Sequence, residues 1–226
     1  MPASVKIVLI ILMCMVLGLI GLCTCGYHLI TRSRPLVEGT LQVTGLGAPV
    51  RIYNDSFHVP HILAENERDL FFAQGFVTAQ QRFFQMDLLR RTAAGRLAEV
   101  FGRQAVASDS LVLTLGLSKT AEESLPSLSA QSRSVLSAYT AGINSYLETH
   151  KNKLPLEFTL LGYTPARWRP EHCLAVMGLI SWQYSSGYLS EPVISTLIDR
   201  TGPAQTAELL PDINLTGVTE EMLDGL

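Results

Sequence analysis

Residues 59–102 read VPHILAENERDLFFAQGFVTAQQRFFQMDLLRRTAAGRLAEVFG, and this stretch decides the fold. An extended Pro-His-Ile segment leads into a run whose apolar side chains recur at helical spacing, as at Phe72, Phe76 and Phe83. Such spacing predicts one long helix over residues 69–92 with a wide apolar face that packs into a core. A glycine at position 95 ends this helix, and a short second helix follows.

Three arginines of this helix are expected to have structural roles. Arg82 falls in the middle of the apolar face, so either a carboxylate pairs with it or its guanidinium extends to water. Arg90 and Arg91 lie near the helix end, where the helix dipole favours cations.

The segments around the helix predict two strands and two further helices. Val50 and Ile52 alternate with polar neighbours, which indicates a strand with one buried face. A second short strand is expected over residues 61–64, preceded by Pro60, so that His61 is a strand histidine held by a hydrogen bond. Ser129 is placed to cap a later helix. The almost wholly apolar residues 172–184 predict a buried helix.

Bulk composition restricts the class of protein. The 226 residues are 47% hydrophobic and 16% charged, with a net charge of −3 and no basic run, so we expect no nucleic-acid partner. Three of the four cysteines lie in the N-terminal apolar run, which leaves Cys173 alone in the body and excludes a disulfide framework there.

The N-terminus contains an uncharged run from Ile7 to Cys23 that continues less strictly to Ile30. This length is close to the roughly 20 apolar residues that span a bilayer as a helix. Residues 1–30 are therefore predicted to be a transmembrane anchor, with a cleaved signal segment as the alternative. Residues 31–39 are predicted to be a linker, residues 40–210 the main domain, and residues 211–226 a polar tail.

The residues 40–210 resemble the penicillin acylase family of N-terminal-nucleophile amidohydrolases. The likeness is carried by motifs in the family's order and spacing: VPHI at 59–62, AQQRFFQM at 79–86, Arg90-Arg91, Gly95, Glu99, YTAGIN at 139–144, LPLEF at 154–158 and GYTPARWRP at 162–170. This resemblance implies an α+β fold, namely the mostly helical α-chain part of an αββα N-terminal-nucleophile hydrolase. The tail at 211–226 is then interpreted as the start of a spacer that the family removes.

The resemblance also implies that no catalytic residue lies in this chain. In the family, a serine that becomes the first residue of a separate β chain is the nucleophile, and its own α-amino group acts as the base. The residues considered alone agree with this expectation. None of the five histidines forms an i, i+4 ligand pair, and no Gly-x-Ser-x-Gly elbow or phosphate-binding glycine loop is present.

By the same resemblance, this chain supplies part of the acyl pocket and one metal ligand. Ser181, Tyr184 and Ser185 fall on the substrate-binding positions, where they depart from the residues of penicillin G acylases. Glu191 falls on the position of a ligand to a structural calcium ion that is shared with the β chain. The alternative for Glu191 is a surface carboxylate at the start of a helix, with Pro192 in the first turn.

The resemblance implies hydrolysis of linear amides, with β-lactam side chains, N-acyl homoserine lactones or related small acyl amides as candidate substrates. The protein is expected to be membrane-anchored with its body outside the cytoplasm, which is the periplasm in a Gram-negative bacterium. The alternative is a non-catalytic, membrane-anchored binding or assembly module from a truncated or split acylase gene. A downstream reading frame that encodes the serine-bearing chain would separate the two.

Overall fold

The computed structural model describes residues 2–34, 38–185 and 187–210. Two compact units divide the chain, Met1–Gly178 and Leu179–Leu226. The helices are α1 Ala3–Thr31, α2 Glu67–Ala93, α3 Ala98–Phe101, α4 Val106–Leu115, α5 Leu117–Ser124, α6 Ala130–Thr149, α7 Leu156–Leu160, α8 Pro170–Tyr184 and α9 Gly187–Leu209; the strands are β1 Arg51–Asn54 and β2 Pro60–Leu63. The predicted tail at 211–226 and part of the predicted linker lie outside the described residues.

Helix α2 forms the centre of the first unit by packing along α6. It begins at an Asn66 cap, whose side chain accepts from the Asp69 N–H, and it ends two residues before Gly95, which has a φ of +62°. Ser129 caps α6 by accepting from the Ser132 N–H. The core lies between the two helices and the segment after α6: Phe76, Ala79, Phe83, Met86, Ile143, Tyr146, Phe158 and Trp168. The predictions of the long helix and of the Ser129 cap are confirmed.

The two helices approach so closely that their backbones touch. A Cβ added at Gly75 would lie 2.1 Å from the Tyr139 carbonyl oxygen, and one added at Gly142 would lie 1.9 Å from the Phe72 carbonyl oxygen. Both positions are therefore restricted to glycine by the packing of the opposite helix backbone.

The strands form an antiparallel hairpin in which Ile52 pairs with Ile62 and Tyr53 with His61. The prediction of a buried face on the first strand is wrong, because all four residues of β1 are exposed. The reason is that the sheet has only two strands in the described residues, so the hairpin has no second layer across its outer face. Strand β2 begins at Pro60, as expected for a residue without a backbone N–H.

Asp69 connects the first turn of α2 to the chain that leads into the hairpin. Its carboxylate is 1% exposed and accepts the backbone N–H groups of Gly47 and Ala48, each at 2.9 Å. The Gly47 N–H and the Asn66 amide lower the pKa of this carboxyl. The hairpin is therefore held near the start of α2.

Arg82 follows the second of its two expected alternatives. It is exposed and makes no ion pair within the described residues; its φ of −138° marks a kink in α2 that turns it outward, so its guanidinium extends to water.

The expectation of a fully buried helix over residues 172–184 is wrong in part. Helix α8 is buried on one side only, because Met177 is 60% exposed. The apolar residues around α8 therefore do not show that the helix is buried on all sides.

Helix α1 contains the chain's candidate membrane span. Leu9–Thr31 contains an 18-residue stretch with a mean hydropathy of 2.6, none of which is buried, and it is the one helix of the described residues that is long and apolar enough to cross a bilayer. A signal sequence near an N-terminus has the same properties, so both interpretations of this segment stay open.

Candidate functional site

Ser181, Tyr184 and Ser185 lie together at the carboxy-terminal end of α8. Their i, i+3, i+4 spacing places them on one side of the helix, and all three are exposed, Tyr184 by 88%. The Ser185 hydroxyl donates to the Trp182 carbonyl at 2.8 Å, and the Ser185 N–H donates to the Ser181 carbonyl at 3.0 Å. The three predicted pocket positions thus form one open patch, which a second surface would have to cover to make a pocket.

Glu191 is the fifth residue of α9 and is exposed. The alternative interpretation is confirmed in that Glu191 is a surface carboxylate, but its placement at the helix start is wrong, because the first turn of α9 contains no acidic residue and Pro192 lies inside the helix beyond it. Calcium binds six to eight oxygen ligands. The described residues contain no group of three or more carboxylate, histidine or cysteine side chains that could hold a metal. Glu191 can supply one carboxylate, and the other ligands would have to come from elsewhere.

His61 is held on an exposed face of the hairpin. Its Nε2 lies 3.1 Å from Asp55 Oδ2, and its ring stacks on Tyr53 at 4.9 Å between centroids. The Val59 N–H, together with His61, lowers the pKa of the Asp55 carboxyl. The expectation of a hydrogen-bonded strand histidine is confirmed. In the described part of the chain no serine, threonine or cysteine is hydrogen-bonded to this ring, so it activates no nucleophile there.

A cavity of about 1100 Å³ opens between the hairpin and α2. Its walls combine apolar residues such as Ile52 and Phe76 with polar ones such as Gln80 and Arg82. The hairpin beside it exposes an unusual amount of apolar surface: Ile52 45%, Tyr53 53%, Phe57 85%, Val59 50% and Leu63 54%. A cavity bordered by exposed apolar side chains is typical of a surface that binds another polypeptide.

The most buried charged cluster lies around Asp87, which sequence reasoning missed. Asp87 is fully buried, and its two carboxylate oxygens accept from Arg90 Nη2, from Arg91 Nε at 3.0 Å and from the Tyr163 hydroxyl at 2.9 Å. Arg91 also donates to Glu99 at 2.8 Å. The i, i+3, i+4 spacing of Asp87, Arg90 and Arg91 was the signal that would have identified the cluster.

Arg90 links this cluster to the loop that carries the GYTPARWRP motif. Its Nη1 donates to the carbonyls of Ala166 and Arg167, both at 3.1 Å, and its guanidinium lies 5.0 Å from the Trp168 ring centroid. Burial lowers the pKa of Arg90, which Asp87 opposes, and burial raises the pKa of Tyr163 to about 12. The motifs at 90–99 and 162–170 therefore hold the helical layer together.

Comparison with known proteins identifies the family. The Penicillin amidase family model matches residues 49–219. The chain therefore belongs to the penicillin amidase family, whose members are acyl-amide hydrolases.

Several curated relatives match the chain. Penicillin acylase 2 proenzyme of Pseudomonas sp. (strain SE83) is 45% identical over 63% of this chain and 18% of its own length. Acyl-homoserine lactone acylase QuiP of Pseudomonas aeruginosa is 33% identical over 92% of this chain and 25% of its own length. Penicillin G acylase of Escherichia coli is 33% identical over 54% of this chain. The chain spans a quarter or less of the length of these relatives.

A solved structure shares the fold. The thermostable penicillin G acylase from Alcaligenes faecalis aligns with a TM-score of 0.58 and 24% identity, over 76% of this chain and 94% of the solved chain. The mostly helical fold with a small antiparallel sheet is thus that of a penicillin acylase chain.

Proposed function

We propose that this chain is the α-chain part of an amidohydrolase that cleaves linear acyl amides, with the nucleophilic serine at the start of a separate β chain. The match of the family model over residues 49–219 carries this proposal. The relative that is 45% identical is named a proenzyme, and the solved acylase chain is covered over 94% of its extent by the present chain. A proenzyme name and a solved chain of similar extent are both expected if the precursor is cut into two chains.

The proposed reaction places the chemistry on the partner. The serine hydroxyl attacks the amide carbonyl, its α-amino group takes the proton and delivers it to the leaving amine, and water then releases the acid. Donors of the β chain stabilise the tetrahedral oxyanion. The present chain contributes the helical layer of the αββα architecture, and the cavity between the hairpin and α2 receives part of the β chain.

Ser181, Tyr184 and Ser185 are proposed to line the acyl pocket once the β chain covers them. Their exposure at the end of α8 supports this, since a wall of a two-chain pocket is open when one chain is absent. Small hydroxyl side chains at two of the three positions leave room for an acyl group other than phenylacetyl. Because relatives are named for penicillin and for acyl-homoserine lactones, both amide classes are candidate substrates.

Glu191 is proposed to donate one carboxylate to a structural calcium ion whose other ligands lie on the β chain. When bound, calcium would supply folding energy to the assembled state. Helix α1 is proposed to hold the enzyme in a membrane with its body outside the cytoplasm, which is the periplasm in a Gram-negative bacterium.

The test is to purify the full chain in detergent, alone and co-expressed with the serine-bearing chain of the same locus, and to assay both with a panel of chromogenic acyl amides. We expect turnover from the complex only. A matched control replaces the first serine of the partner by alanine, which should keep the complex and abolish turnover. Robust turnover by the isolated chain would refute the proposal. A stable, inactive chain that ignores the partner would favour the non-catalytic module.

A further inference from the structure

A second cavity, of about 420 Å³, lies within the first unit, between Arg32 at the end of α1 and residues 151–164. Its walls include two cations, Arg32 and Lys151, and the hydrogen-bonding side chains of Asn152, Thr159 and Thr164. No carboxylate side chain is among its described lining residues. This composition selects an anion, because nothing in the wall compensates the two positive charges.

Arg32 is incompletely bonded in this cavity. Its Nη2 donates to Thr159 Oγ1, which orients the guanidinium against the cavity wall. Its Nε is buried and has no hydrogen-bond partner among the described residues. A buried charged donor without an acceptor costs free energy, so the site is incomplete as it stands and an acceptor oxygen would complete it.

The place of the cavity along the chain indicates where this oxygen comes from. Arg32 is the first charged residue after Lys6, and it follows directly on the apolar span Leu9–Thr31. A helix of that length covers about 35 Å, slightly more than the roughly 30 Å hydrocarbon core of a bilayer. With α1 in a membrane, Arg32 and the cavity therefore lie at the level of the lipid headgroups.

We propose that this cavity binds the phosphate of an anionic phospholipid headgroup, with Arg32 and Lys151 as the charged donors. This rests on the proposed membrane placement of α1. The absence of a carboxylate from the described wall disfavours zwitterionic lipids, whose ammonium group would remain unpaired beside two cations. The bound lipid fixes the body close to the membrane surface at the point where α1 leaves the bilayer.

The test uses the full chain in a neutral detergent, titrated separately with phosphatidylglycerol, phosphatidylcholine and inorganic phosphate, with bound lipid counted by native mass spectrometry. Phosphatidylglycerol should bind in preference to phosphatidylcholine. Lys151→Ala should weaken this binding about five-fold, the effect of removing one cation near an anionic lipid surface. Lys151→Arg should retain it.

Lys153→Ala is the matched control, since Lys153 lies two residues away, is exposed and does not line the cavity. It should leave phosphatidylglycerol binding unchanged. Equal binding of the two lipids, an equal loss in the Lys151 and Lys153 variants, or inorganic phosphate binding as tightly as phosphatidylglycerol would overturn the proposal. Amide hydrolysis by the two-chain complex is a separate readout, so failure here leaves the enzymatic proposal standing. A chain that purifies without residues 1–34 would instead remove the membrane placement itself.

Discussion

At the scale of single residues, Asp87 is the buried carboxylate at the centre of the charged cluster of the helical layer. It is fully buried and holds two arginines and a tyrosine hydroxyl. Asp87→Asn removes the charge while conserving shape, and it leaves the Arg90 guanidinium buried without a counter-ion. We expect a loss of about 3–5 kcal/mol in the free energy of unfolding, the usual effect of breaking a buried pair from one side. Chemical denaturation followed by circular dichroism measures it.

Glu123→Gln is the comparison for this variant. Glu123 pairs with Lys119 at 3.9 Å, and both side chains are largely exposed. Such a pair contributes at most about 1 kcal/mol. If Asp87→Asn and Glu123→Gln lower the free energy of unfolding equally, the Asp87 cluster does not stabilise the fold more than an exposed ion pair does.

The sequence correctly predicted structural roles for Arg90 and Arg91, but it did not predict the contacts that give them those roles. Arg90 and Arg91 were expected to interact with the dipole at the carboxy-terminal end of α2. In the structure both side chains instead bind the buried carboxylate of Asp87, one turn away. Arg82 was expected to need a carboxylate or water, and a kink turns it to solvent. Periodicity assigns faces on an ideal helix, so it cannot register a local change of backbone direction.

The role of Glu191 can be tested in the assembled two-chain enzyme. As a calcium ligand, its replacement in Glu191→Ala should lower both the calcium content and the melting temperature, because a metal that binds only the folded state stabilises it. Glu208→Ala, at an exposed position of the same helix, should change neither. Metal analysis and thermal melting give both readouts. Unchanged calcium together with an unchanged melting temperature in Glu191→Ala would remove the assignment.

At the scale of elements, the contact between α2 and α6 determines the geometry of the first unit. Gly142→Ala would place a methyl group 1.9 Å from the Phe72 carbonyl oxygen, so the helices must move apart. We expect a loss of about 1–3 kcal/mol, as for overpacked cores. Differential scanning calorimetry of the variant and the parent measures it.

Gly178→Ala controls for the change in helix propensity alone. Gly178 also lies inside a helix, but its added Cβ would meet only Leu117 Cδ2 at an ordinary 3.7 Å. Replacing a helical glycine with alanine is then expected to stabilise by up to about 1 kcal/mol. Destabilisation of both variants by the same amount would show that the close crossing is not the cause.

The sequence predicted correctly those helices and strands whose apolar faces pack against other residues of this chain. The long helix, its glycine stop, the Ser129 cap and the strand start at Pro60 all follow from local patterns. The open face of β1 and the exposed side of α8 did not follow, because their apolar residues predict burial without saying against what. Both errors have the same physical origin, since no other described element covers these surfaces.

For the whole molecule, the lack of a covering surface in this chain also limits what the sequence predicts of the proposed acyl pocket. The family was predicted from motifs that turn out to be structural, such as the Arg90–Trp168 contact. The proposed pocket positions Ser181, Tyr184 and Ser185 form one patch, yet each is open to solvent. An alignment can transfer a position, but in the proposed two-chain enzyme the opposite wall of the pocket and the remaining calcium ligands belong to the partner chain.

The last prediction concerns the molecule in its membrane. A predominantly apolar helix of 23 residues should stay in the bilayer, so the full chain is expected in the pellet after a carbonate wash, with an intact mass that still includes residues 1–34. Leu17→Arg, which places a charge near the middle of the span, opposes insertion by about 2.5–3.5 kcal/mol and should move part of the chain to the soluble fraction. A soluble parent chain with a new N-terminus near Cys25 would instead identify α1 as a signal segment, because a cleaved body has no apolar span to retain it.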